Sequence, residues 1–319
     1  MIYAGIDIGG MSIKIGLVNE DGKLLISKSI LTESEKGYAI MTTNMANLID
    51  ELLQELNLSR NNLSGIGIGV PGTVDSKLQI VNSAANIGWR KLRIVDEFKK
   101  HFSCNIQVNN DANCACLGEY VFGGGKQYQN IVFVTLGTGV GGGIIIDGKL
   151  FEGYCSAGAE VGHLLLQIDG YPCACGRHGC WEQYASATAL IRQTKAMMQA
   201  NPLSKMHQIA LKNEGVVDGQ TAFRAADLGD EAGAEVVKNY IRFIAEGLIS
   251  LCNLFHPQVF ILGGGICNEK DKLTVPLQKH IDDYIKISGF DPAIKVTTAE
   301  LGNKAGIIGA SCLVMDKNA

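Results

Sequence analysis

Glu160, His163, Cys173, Cys175, Cys180 and Glu182 fall within one glycine-rich stretch of the chain. Thiolate sulfur and imidazole nitrogen are the donors a structural zinc ion prefers, and three cysteines with one histidine complete its tetrahedron. Gly176 and Gly179 lie between the sulfurs and allow the backbone to reverse tightly. A disulfide, or cysteines with no joint role, are the alternatives; the crowding of three cysteines beside a histidine favours zinc. A metal that pins His163 and Cys180 also pins the carboxylates of Glu160 and Glu182. Hydrogen-bond acceptors held in this way suit a polyhydroxylated ligand better than a redox reaction.

Asn110 and Asp111 stand between a short apolar strand and a helix. Asp111 reads either as a helix N-cap or as a carboxylate placed to take a proton from a substrate hydroxyl. Asp7 ends the first strand, where it is a candidate for holding the waters around Mg2+ or a plain turn residue before Gly9. Gly137, Gly139 and Gly142 match G-x-G-x-x-G, but a dinucleotide fold needs a helix next, and here a strand and an Asp147-Gly148 turn follow. The chain has no G-x-x-x-x-G-K-[ST] run either. Glycine corners at residues 7–10 and 137–143, with Gly263, Gly264 and Gly265 after another strand, read either as ordinary turns or as corners that clasp nucleotide phosphates through backbone N–H groups, and their occurrence at matching places favours the second.

These residues need elements to carry them. Strands are expected over 3–8, 13–18 and 23–28, a meander whose first corner holds Gly9 and Gly10. Apolar residues at helical spacing predict a helix over 39–56. A strand over 66–70, a helix over 92–102, a strand over 106–108 and a helix over 111–120 follow. The pattern then restarts, with strands over 131–136 and 144–146 on either side of the second glycine corner. Aligning the two corners points to two copies of one α/β unit, the second carrying the cysteine segment as an insertion. Helices over 184–199 and 230–255, the latter capped by Asp230, a strand over 259–262 and a helix over 304–314 complete the order. Alternating elements of this kind imply an α/β layer fold.

Composition narrows the function classes. A chain of 319 residues exceeds the ~250–300 residues at which single cores stop growing, so two domains are expected. Hydrophobic residues are 46% and charged residues 19%, as in globular proteins. The net charge of −4 supplies no basic field for nucleic acid or anionic lipid. No apolar run is long enough to span a bilayer, and residues 1–7 lack the pattern of a signal peptide. Ten cysteines without that signal point to reduced thiols and a cytoplasmic setting. The seven outside the cluster are expected to be buried small hydrophobes.

Taken together, residues 7–10, 67–72, 110–113, 137–143, 160–163 and 173–182 resemble the ROK family (repressor, open reading frame, kinase), in the same order and across essentially the whole chain. The Glu-x-Gly-His and Cys-x-Cys-Gly-x-x-Gly-Cys-x-Glu pair carries most of the specificity. The resemblance implies an actin-like, ribonuclease H-like ATPase fold with two domains around a cleft. Residues 1–117 plus about 301–319 would form a small α/β domain, and 118–300 a large one with the zinc-binding insertion. It implies an ATP-dependent sugar kinase with Mg2+ and a structural Zn2+, commonly a homodimer. Asp111 would be the catalytic base, and Asn86, Asn110, Asp111, Glu160, His163 and Glu182 would contact the sugar. Asp7, Gly9, Gly10, Met11, Ser12, Lys14, Thr138, Gly139, Gly264 and Gly265 would face ATP; His163, Cys173, Cys175 and Cys180 would hold zinc. The run after Cys175 is most similar to that of the family's glucokinases, so glucose, giving the 6-phosphate, is the first expected acceptor. N-acetylmannosamine, mannose or a β-glucoside come next. The family's repressors carry a helix-turn-helix before the first strand, for which no room is expected ahead of Tyr3. A non-catalytic sugar sensor is the remaining alternative, because Met11 stands where the family usually has a threonine.

Overall fold

The computed structural model describes residues 1–289 and 293–315. β1 (Ile2–Ile8), β2 (Ser12–Asn19) and β3 (Leu24–Leu31) form the expected meander. Helix α1 (Tyr38–Glu55) follows, and it buries Met45, Ile49, Leu52 and Leu53 in the core that also holds Ile6, Ile8, Ile13 and Ile15 of the sheet. Each such side chain, fully withdrawn from water, contributes about 1.5–3 kcal/mol. β4 (Leu63–Val70) pairs parallel with β1.

The next stretch departs from the sequence reading. β5 (Thr73–Asp75), β6 (Ile80–Ala84) and β7 (Trp89–Leu92) form a small antiparallel sheet. The helix expected over 92–102 shrinks to α2 (Ile94–Phe98), because Leu92 is drawn into pairing with Val81. β8 (Asn105–Asn110) then completes the first sheet, and α3 (Asp111–Phe122) begins on the next residue.

β9 (Ile131–Leu136) and β10 (Val140–Ile146) flank the second glycine corner, and β11 (Lys149–Leu150) follows the Asp147-Gly148 turn. The helix expected over 184–199 is broken into α4 (Glu182–Ala185) and α5 (Ala187–Ala200). Ser186 lies between them in an extended conformation, and its side chain accepts from Ala189 N to cap α5. Three helices come next: α6 (Met206–Lys212), α7 (Thr221–Asp227) and α8 (Glu231–Phe255), the last capped by Asp230 as expected. β12 (Val259–Gly263), α9 (Asp271–Ser288), β13 (Lys295–Thr298) and α10 (Ala305–Cys312) close the order.

The two large sheets have the same construction. One orders β3-β2-β1-β4-β8 and the other β11-β10-β9-β12-β13. In each, the strand before the glycine corner is central and two parallel strands extend from it. The duplication read from the corners is therefore present in strand order. The chain forms two compact units: residues 1–130, 143–159 and from 300 onward, and residues 131–142 and 160–299. The first unit runs past the expected joint at 117 because α3 continues unbroken to Phe122. The chain's return is tied to that helix by Glu119, whose fully buried carboxylate accepts from Glu300 N and Leu301 N at 3.1 and 2.8 Å.

Candidate active site

The first unit brings Asp7, Gly9, Gly10, Met11, Ser12, Lys14, Asn86, Asn110 and Asp111 together with their supports. The first corner closes by Gly9 N donating to Ser12 O at 3.0 Å. Cross-strand register sets Asp7 opposite Lys14, and Lys14 Nζ stands 3.9 Å from the Asp7 carboxylate. Burial pushes the Asp7 carboxyl above its ordinary range, and the Lys14 charge opposes that shift. Met11 projects into solvent, 87% exposed. Asn86 borders the corner: its Cβ lies 3.8 Å from where a methyl on Gly10 would sit.

One support was not visible in the sequence. Thr32, just beyond β3, is buried; its hydroxyl donates to Gly9 O at 2.7 Å and its N–H donates to Met11 O at 3.1 Å. It grips the corner on both sides of Gly10.

Parallel pairing of β4 and β8 places Val70 beside Asn110 at the sheet's end. The N-cap of α3 is Asn110, a correction to the reading that gave this role to Asp111. Asn110 Oδ1 accepts from Ala112 N and Asn113 N at 2.8 and 3.0 Å, while its Nδ2 donates to Gly72 O at 2.9 Å. Asn110 wins the cap because it holds the extended conformation that precedes the first turn. Asp111 is thereby placed in the first turn, where the helix dipole favours a negative charge. Behind it Asn109 Nδ2 donates to Glu152 Oε1 at 2.9 Å, and Glu152 Oε2 accepts from the Ser76 hydroxyl at 2.8 Å. Neither Glu152 nor Ser76 carries a local sequence signal, since each is recognised only through a partner far along the chain.

The second unit gathers Thr138, Gly139, Glu160, His163, Cys173, Cys175, Cys180, Glu182, Gly264 and Gly265. The ligand atoms of His163, Cys173, Cys175 and Cys180 all lie within 4.8 Å of one another. Bonds of about 2.0–2.3 Å around one zinc ion set ligand atoms roughly 3.5–3.8 Å apart. Here Cys173 Sγ is 3.6 Å from His163 Nδ1, and the Cys175 and Cys180 sulfurs are 3.5 Å apart. Those spacings fit a shared ion, and the sulfur pair is far beyond the ~2.05 Å of a disulfide. Burial, with the bond to Glu182, pushes the Cys173 thiol up to about 12, so a cation at the centre is what would hold it as thiolate. The glycines play the expected part: Gly179 takes φ 77°, and a methyl there would strike Gln167 O at 1.6 Å. The expectation that the other cysteines are buried holds for Cys114, Cys116, Cys252 and Cys312, whereas Cys104 and Cys267 are only half-buried. Cys155 is exposed, held at φ 52° in a short turn that faces it outward.

The cluster is adjacent to the second glycine corner. Gly137 N donates to Gly139 O at 3.0 Å, closing the turn. A methyl on Gly139 would lie 2.7 Å from Glu182 Oε2, and one on Gly162 would lie 2.0 Å from Val140 O. Ala187 N donates to Gly137 O at 2.8 Å. Gly264 also borders the corner, packed against Leu136 O, while the positions beside Gly137 and Gly265 are open. Carboxylate, imidazole and backbone donors thus occupy one neighbourhood, a set able to accept from sugar hydroxyls and to donate to phosphate.

Comparison with known proteins agrees with this chemistry. Residues 3–317 match the ROK family. A glucokinase of Streptomyces coelicolor is 36% identical over 317 residues, covering 98% of this chain and 97% of that one. A glucokinase of Halalkalibacterium halodurans is 35% identical over 316 residues, covering 98% and 94%. The crystal structure of a ROK family glucokinase from Streptomyces griseus, in complex with glucose and AMPPNP, gives a TM-score of 0.82 at 34% identity, covering 98% of this chain and 99% of that one. With the strand order repeated in both sheets, these likenesses establish the actin-like ATPase fold with two domains. Across nearly its whole length, then, this chain belongs to the ROK family.

Proposed function

We propose that the protein is an ATP-dependent sugar kinase that phosphorylates a hexose, with glucose the preferred acceptor and the 6-phosphate the product. The observation that carries this reading is the position of Glu182. Its carboxylate occupies the space that a side chain at Gly139 of the glycine corner would need, and it accepts from the Cys173 sulfur at 3.0 Å, in a chain aligned end to end with glucokinases. An acceptor for sugar hydroxyls therefore sits beside donors for phosphate.

In this mechanism Glu160, His163 and Glu182 accept from or orient the sugar hydroxyls. His163 turns Nδ1 toward the sulfurs, which leaves Nε2 for the substrate. Asn86 and Asn110 supply further amide contacts. Asp111 takes the proton of the attacking hydroxyl as the γ-phosphoryl group arrives, a transfer governed mainly by positioning and charge stabilisation. Backbone N–H groups at Gly10, Met11, Thr138 and Gly139, with Ser12, Lys14, Gly264 and Gly265, bind the nucleotide, and Gly9 lets its phosphates approach the corner that its own N–H closes. Asp7 would orient waters of a Mg2+ ion, which neutralises phosphate charge when bound. His163, Cys173, Cys175 and Cys180 would hold a structural Zn2+ that fixes the local backbone. The reading includes a homodimer acting in the cytoplasm, on the strength of the family likeness.

The test is phosphorylation kinetics with ATP and Mg2+ across glucose, mannose, N-acetylmannosamine and a β-glucoside. Glucose should give the highest kcat/KM. A protein that binds glucose but leaves ATP intact with every sugar would instead be a sensor.

A further inference from the structure

The metal cluster touches the second glycine corner through two walls. One wall is residues 160–163, where Gly162 allows Val140 O to approach to a distance that any side chain would block. The other is residues 180–187, where Glu182 abuts Gly139 and Ala187 N donates to Gly137 O at 2.8 Å. His163 is the residue after Gly162, and Cys180 lies two before Glu182. The four candidate ligands therefore join the two walls at their bases. Further contacts follow the same path: Trp181 N donates to Leu164 O at 2.7 Å, and Leu165 bridges to Cys180.

From this we infer that the Cys3His cluster positions the nucleotide corner as well as the sugar-binding side chains, with Glu182 the positioning residue between them. A bound ion clamps the walls at a fixed separation. The turn at residues 137–140 is then held from both sides, and its N–H groups keep one direction. Without the ion, only weaker contacts hold the walls, and the corner loses its fixed aim. The inference rests on the proposed role of the corner in binding ATP, and it deepens that role.

The experiment measures AMPPNP binding by calorimetry with no sugar present, so that sugar contacts cannot contribute. Metal content is measured in parallel by mass spectrometry, and folding by thermal melts. The samples are the protein as purified, the protein stripped by a chelator, stripped protein resupplied with zinc, and Cys175→Ser, whose side chain is exposed. Stripping and Cys175→Ser should each weaken AMPPNP about three- to ten-fold, as expected for one hydrogen bond lost or misdirected, and zinc should restore the stripped protein. Glu182→Ala should weaken AMPPNP similarly, while Glu182→Gln, which keeps the contact with Gly139, should retain most of the affinity. Unchanged AMPPNP affinity in folded, metal-free protein overturns the inference, as does weakening that zinc does not restore. Purified protein that holds no metal and binds AMPPNP fully also overturns it. Failure of the metal-loaded protein to bind AMPPNP at all is a different result, which refutes the nucleotide role itself.

Discussion

The two glycine corners arise at matching points of matching sheets, yet they are held by different means. The first, between β1 and β2, is gripped by Thr32 through two hydrogen bonds to Gly9 O and Met11 O. The second, between β9 and β10, is walled by residues 160–163 and 180–187, the segments that bear His163 and Cys180 of the Cys3His cluster. Strand order decides where a corner occurs, because the central strand must hand over to its neighbour there. It does not decide how rigid the corner is. That depends on whatever packs behind it: Thr32 at the first corner, and at the second the two walls that carry the Cys3His cluster.

The largest effect we expect lies outside both corners and sets the scale for them. Asp111→Asn keeps the shape of the first turn of α3 but cannot take the proton. Turnover should fall by about 10²–10⁴-fold, while AMPPNP and glucose affinities stay close to normal. Turnover within a few-fold of the parent in folded protein would remove Asp111 from the chemistry, and both corners would then need reassigning to some other reaction.

The next test strains the second corner directly. Gly162→Ala puts a methyl 2.0 Å from Val140 O, a contact that backbone movement must relieve. Overpacking of this kind costs about 1–3 kcal/mol. A lowered Tm should accompany a raised KM for ATP, with the zinc content retained. A variant with the full Tm loss and an unchanged KM for ATP would show that the wall supports the fold without aiming the corner.

Thr32→Val makes the matching test at the first corner. Valine fills the same buried space without the hydroxyl, so Gly9 O loses its donor. One neutral hydrogen bond contributes about 0.5–1.5 kcal/mol, so KM for ATP should rise roughly a few-fold, with KM for glucose unchanged and Thr32→Ser restoring the parent value. Equal shifts in both KM values would mean that Thr32 supports the unit as a whole.

How much of this was legible beforehand follows from the range of the interactions concerned. The cysteine cluster, its two carboxylates and the corners are local in sequence: ligands within eighteen positions of one another, and glycines between strands with clear apolar pattern. They were readable, as were β1, α1, α8 and the Asp230 cap. Thr32, Glu152 and Ser76 were not, because each acts on a partner whose approach is set by tertiary packing, as with Ser76 and Glu152, which meet across 76 positions. The small sheet of β5, β6 and β7 was missed because its strands are short and interrupted by turns. Helix α9 was hidden by Pro276 within it, a residue that ordinarily signals a helix end. Asn110 and Asp111 were told apart only by backbone conformation, since either side chain can cap a helix.

The smallest expected effect concerns residue 11, where Met stands and the family resemblance leads one to expect a threonine. Met11 was a reason to doubt nucleotide binding as long as its side chain was counted among the phosphate contacts. The corner closes without it. Gly9 N reaches Ser12 O, and Thr32 takes hold of the Met11 carbonyl rather than the side chain, which is left 87% exposed. Met11→Thr removes no buried surface and breaks none of these bonds, so stability should stay within about 0.5 kcal/mol. The new hydroxyl would add at most one donor toward phosphate, worth a roughly two- to several-fold lower KM for ATP. The measurement is KM for ATP beside Tm. A lower KM at constant Tm would show that the first corner has spare capacity which Met11 leaves unused. An unchanged or higher KM at constant Tm would show that its backbone donors, held by Thr32, already do all the binding that this corner contributes.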